Sequence, residues 1–128
     1  MRRSVPGVLA GVIALVAALV VLWPRAVEAE PHLAESGRFR FVLTPASTRS
    51  GSNSFDLRIT DRSGNAAQGD VTVEPAMPQM GHALAPITAT ALAPGRYQVP
   101  HVDLFMSGQW EITVSLSTER VVIPLLLT

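Results

Sequence analysis

From residue 39 onward, apolar and polar residues alternate with a period of two, the pattern of strands that bury one face. Phe39, Phe41 and Leu43 alternate with Arg40 and Val42, and Phe55, Leu57 and Ile59 with Asp56, Arg58 and Thr60. Asp61-Arg62-Ser63-Gly64-Asn65 then supplies turn chemistry. Val71 and Val73 predict a third strand with Thr72 and Glu74 outward. Residues 87–92 predict a fourth, weaker because alanine packs little area. Residues 97–102 predict a fifth, irregular because Pro100 donates no ladder hydrogen bond. Trp110, Ile112, Val114 and Leu116 mark the sixth, the clearest pattern in the chain. Residues 121–127 form the seventh after the turn Ser117-Thr118-Glu119, and Pro124 directs it towards a sheet edge.

About seven short strands, with turn signals roughly every ten residues and no helical periodicity among them, predict an all-β chain folded as a small β-sandwich. Leu92-Ala93-Pro94-Gly95-Arg96-Tyr97 has the form of a tyrosine corner, in which a Tyr after a sharp connection returns its hydroxyl to nearby backbone. An ordinary Pro-Gly turn beside a core aromatic is the alternative, and both imply antiparallel structure.

The first residues follow another rule. Met1-Arg2-Arg3 precedes an uncharged stretch over residues 5–23, long for a signal-peptide core and close to the length of one N-terminal apolar membrane helix. Trp23 and Arg25 suit the membrane–water boundary and favour retention, whereas Ala26-Val27-Glu28-Ala29 offers small residues for cleavage near Ala29. Either way Arg2 and Arg3 hold the N-terminus in the cytoplasm and send the remainder outward. The expected organisation is an anchor or signal peptide over residues 1–29, a polar linker over 30–37 and the strand domain over 38–128. The expected location is the periplasmic side of the inner membrane, single-pass, or the soluble periplasm or exterior after cleavage.

Composition narrows the chemistry. The 128 residues contain no cysteine, which excludes disulfides, thiolate zinc sites and thiol nucleophiles. The formal net charge is +0, without the basic excess of a nucleic-acid binder. No Gly-x-Ser-x-Gly, His-Glu-x-x-His or phosphate-cradling glycine loop is present, and the chain does not read as an enzyme. Ser107, His101 and Asp103 contain the letters of a hydrolytic triad but nothing marks an oxyanion hole. Asp56, Asp61, Asp70 and Glu74 are too dispersed for a calcium loop and read as solvated.

The informative residues lie between positions 77 and 106. Every methionine after the initiator (Met77, Met80, Met106) and two of the three histidines (His82, His101) fall there. Thioether is a soft neutral donor and imidazole a borderline one; together they suit Cu(I) better than zinc or calcium. Met77, Met80 and His82 sit on a segment stiffened by Pro75 and Pro78 and bent at Gly81, and the following strands can bring His101 and Met106 beside them. Glu74 and Asp103 flank the region as possible partners of an imidazole. Taken singly, each methionine reads more readily as packing: Met77 continues the parity of Val71 and Val73, and Met106 that of Trp110.

Met77-Pro78-Gln79-Met80-Gly81-His82, then Pro94-Gly95-Arg96-Tyr97, then Met106-Ser107-Gly108-Gln109-Trp110, together resemble the YtkA-like domain family, which includes FixH-like proteins. The resemblance runs from about Phe39 to Leu116. It implies an immunoglobulin-like sandwich, extracytoplasmic and often membrane-anchored, near copper handling, metal efflux or respiratory oxidase assembly. The chain shows nothing specific to oxidase assembly. The expectation is a monomeric Cu(I) carrier or delivery module, held at the membrane and passing metal to a membrane protein complex. The alternative is a metal-free structural or assembly module whose methionine loop docks on an oxidase or efflux partner.

Overall fold

The alternating segments pair into two antiparallel sheets in the computed structural model, which describes residues 29–128. The strands are β1 (His32–Glu35), β2 (Phe39–Pro45), β3 (Gly51–Asp61), β4 (Val71–Met77), β5 (His82–Ala83), β6 (Ile87–Thr88), β7 (Thr90–Ala93), β8 (Arg96–Leu104), β9 (Gly108–Leu116) and β10 (Glu119–Leu127). A 3-10 turn over Pro78–Met80 joins β4 to β5. One sheet has the order β1-β2-β3-β8-β7 and the other β10-β9-β4-β5, with β6 also pairing β4. The expected N-terminal helix lies outside the described residues. Among those described, no helix is long and apolar enough to cross a membrane.

Strand alternation turns one set of side chains from each sheet into a shared core. Phe41, Leu43, Phe55, Leu57, Ile59, Val99 and Leu104 come from the first sheet; Val73, Trp110, Ile112, Val114, Ile123 and Leu125 come from the second. Each such side chain contributes roughly 1.5–3 kcal/mol when fully buried, which is the main force holding the sheets together. The longest uninterrupted ladder joins β9 to β10, from Leu116↔Glu119 to Gly108↔Leu127, across a turn in which Ser117 adopts a positive φ of 54°.

Three expectations need correction. Residues 30–37 are not simply a linker, because they contain β1, which pairs with β2 from His32↔Leu43 to Glu35↔Arg40. Backbone pairing and polar clamps build this strand: Arg40 Nε meets Glu35 Oε1 at 3.1 Å, and Arg62 donates to the carbonyls of Ser36 and Gly37, both at 2.8 Å. The segment 87–92 is not one strand. It divides at Ala89, whose amide donates to Val71 O at 2.8 Å; β6 joins the second sheet and β7 the first. With β5 also folding back along β4, the seven expected strands become ten.

The irregularity expected at Pro100 is a register shift. The β3–β8 pairing slips between Asn53 and Phe55, so that Val99 and Val102 both face inward and Pro100 and His101 lie exposed between them. At the other end of β8 the Pro94-Gly95 bend requires glycine. Gly95 has φ +71°, and a Cβ there would stand 2.8 Å from the carbonyl oxygen of Ile59.

Candidate functional site

Alternation along β4 places Val71, Val73, Pro75 and Met77 inward, so Met77 closes the strand with its side chain only 2 % exposed. Pro78 starts the 3-10 turn, and Gly81 ends it in the left-handed region at φ 62°, its amide donating to Pro78 O at 3.1 Å. The chain returns antiparallel, and His82 comes to lie directly opposite Met77. Opposed residues share a face, with Cβ atoms about 4.5–5.5 Å apart.

From there the His82 imidazole reaches the ring of Trp110 on the neighbouring strand β9, with centroids 5.8 Å apart and planes at 77°. Trp110 is fully buried, and its indole N–H donates to the carbonyl of Met106 at 2.9 Å. Met106 is half-buried and packs against the core. The Met77 methyl lies over Gly108, where a Cβ would come within 3.0 Å of it. Gln79 fastens the turn to the same strand by donating to Gln109 O at 2.8 Å. Met77, His82, Met106 and Trp110 are thus gathered at one end of the sandwich. Met80, on the 3-10 turn above them, is 60 % exposed.

His101 is not brought into this group. Val102 and Leu104 point into the core, so His101 and Asp103 project from the outer face of the first sheet. There His101 Nε2 lies 3.0 Å from Asp103 Oδ1, with the imidazole side chain 71 % exposed. Asp103 therefore serves His101, not His82. Glu74 and Glu111 alternate with inward neighbours on β4 and β9 and lie on the outer side of their sheet, away from the indole. Among the described residues, no three His, Asp or Glu side chains are grouped so as to hold a metal ion. Any cation at this end would depend on thioether sulfur.

Trp110 and Gly108 belong to the motif that carries the family resemblance but are not among the residues the sequence nominates for the site. Their available signal was proximity in the chain, since Met106, Gly108 and Trp110 fall within five residues. A separate concavity of about 370 Å³ between Gln68-Gly69 and the β7–β8 turn includes Leu92, Pro94 and Tyr97 in its lining and contains neither methionine nor histidine.

A family model described as YtkA-like matches residues 32–115. Among solved structures, the crystal structure of the S-layer protein SbsC domains 4 and 5 is similar with a TM-score of 0.42 and 21% sequence identity, over 79% of this chain. The similarity spans about half of that chain, 55% of its length. No curated protein matches this chain.

Proposed function

The chain belongs to the YtkA-like family, and from that premise we propose that its strand domain is an extracytoplasmic Cu(I) carrier or delivery module. The observation that supports this most is the in-register pairing of Met77 with His82 against Trp110, with Met106 bonded to the same indole. Met77, His82 and Met106 are the proposed ligands, with Met80 joining from the exposed turn. His101 falls outside the set because it faces away from the core. A neutral thioether costs little to keep in an apolar setting, unlike a carboxylate, so burial of Met77 is compatible with a soft-metal ligand. Exposure of His82 and Met80 leaves a side from which a partner can take the metal by ligand exchange.

In this reading the two sheets form an immunoglobulin-like sandwich, and residues 5–23 anchor it on the periplasmic side of the inner membrane, unless cleavage near Ala29 releases it. The module is monomeric and non-enzymatic, and it delivers copper to a membrane protein complex. The test is titration of the full chain with Cu(I) against a chromogenic chelator. Retention lost when Met77, Met80 and His82 are all replaced by Ala supports the proposal; unchanged retention removes it.

A second reading has its own observation. Met80 is 60 % and Phe105 70 % exposed, on the turn and the loop that border Trp110. Such side chains are adaptable contact residues for a protein partner. A metal-free assembly module predicts co-purification with one oxidase or transporter subunit that survives a copper chelator and His82→Ala but is lost in Phe105→Ser.

A further inference from the structure

We infer that Trp110 is a wall of the cation site and makes it selective for a soft monovalent ion, Cu(I) or Ag(I), over divalent ions; this rests on the Cu(I) reading above. Three observations lead here. The first is the indole's fixed orientation: its N–H is held by the Met106 carbonyl at 2.9 Å, so its plane cannot swing away. The second is the near-perpendicular His82 ring 5.8 Å from its centroid. A cation held between the two rings lies within the roughly 6 Å range of attraction to an aromatic face.

The third is charge. The donors on this face are neutral, and the nearest carboxylates of β4 and β9, Glu74 and Glu111, occupy the opposite face of their sheet. The desolvation cost of an ion rises with the square of its charge, and no anion here offsets it. A divalent ion would be stripped of water for thioethers and an indole. A large polarisable monovalent ion loses far less and gains soft donors.

The experiment uses the full chain in detergent carrying Trp23→Phe, which leaves Trp110 as the sole indole of the two in the chain. Fluorescence is recorded during titration with Ag(I), Cu(I), Zn(II) and Ca(II), beside chelator competition. The expected result is saturable quenching of Trp110 by about one equivalent of Ag(I) or Cu(I), with no change from Zn(II) or Ca(II). Met77→Leu, which keeps core volume but removes the sulfur, should abolish the quenching while far-UV circular dichroism is unchanged. Trp110→Phe, if folded by the same criterion, should bind Ag(I) about tenfold more weakly. Cu(I) retained against the chelator without change in Trp110 emission overturns this inference and leaves the carrier reading standing. Equal quenching by Zn(II) overturns the selectivity, and no Cu(I) retention at all removes both.

Discussion

The Tyr97 hydroxyl donates to the carbonyl of Gly69 at 2.8 Å, tying the start of β8 in one sheet to the loop that enters β4 in the other. The bond spans 28 residues rather than returning a few positions upstream, so this tyrosine is a latch between sheets more than a local corner.

Tyr97→Phe removes that latch and keeps the ring in the core. The Gly69 carbonyl lies in an exposed segment and can take a water instead. The expected loss is about 1 kcal/mol, read as a lower urea midpoint with an unchanged slope.

The same phenol carries a pH signature. Burial, and secondarily the charge of Asp70, push its pKa above the usual tyrosine value. A folded-state pKa above the unfolded one means the stabilisation is complete below the unfolded value, about pH 10, and is lost as pH rises through the folded value. Melting temperature should fall more steeply between pH 9.5 and 11 in the native sequence than in Tyr97→Phe (~1 pH unit around the usual tyrosine value). Parallel curves would show that Tyr97 does not contribute to alkaline unfolding.

At the acid end the opposite sign applies. The Asp61 carboxylate accepts amide hydrogen bonds from Asn65 and Ser63, both at 2.9 Å, and these bonds hold its pKa below the usual value, that from Asn65 contributing most. Its contribution is present at neutral pH and lost as pH falls through the lowered folded value. Asp61→Ala should be less stable than the native sequence at pH 7, and the difference should shrink as pH falls below the usual carboxylate range.

Gly95→Ala is the severe backbone substitution. Its Cβ would meet the Ile59 carbonyl oxygen at 2.8 Å and the Ala66 Cβ at 3.0 Å, with φ at +71°. The expected cost is about 2–3 kcal/mol in chemical denaturation, since the strain falls on backbone that cannot rotate away. A change within experimental error would mean the β7–β8 turn repacks freely.

How much of this was legible beforehand follows from what drives each element. β2, β3, β9 and β10 bury whole faces, so Phe41, Leu57, Trp110 and Ile123 announce themselves by period. β1 and β7 are held by backbone pairing at sheet edges and carry little apolar alternation; Leu33 and Leu92 are exposed. No periodicity marks such strands. Met77 lies where its parity with Val73 predicts. His101 lies away from Met77 and His82 because the two outward residues Pro100 and His101 shift the alternation of β8, and a register slip against β3 leaves no compositional trace. The meeting of His82 with Trp110 depends on β5 folding back along β4, a long-range fact that the Gly81 bend hints at and register decides.

Placing His82 in the metal set and His101 outside it gives the sharpest division. The decisive measurement is Cu(I) retention against a chromogenic chelator by the full chain carrying His82→Ala or, separately, His101→Ala. The prediction is affinity at least about tenfold weaker for His82→Ala, the loss of the one imidazole donor, with His101→Ala matching the native sequence. Equal retention by His82→Ala and the native chain, or a loss confined to His101→Ala, would contradict it.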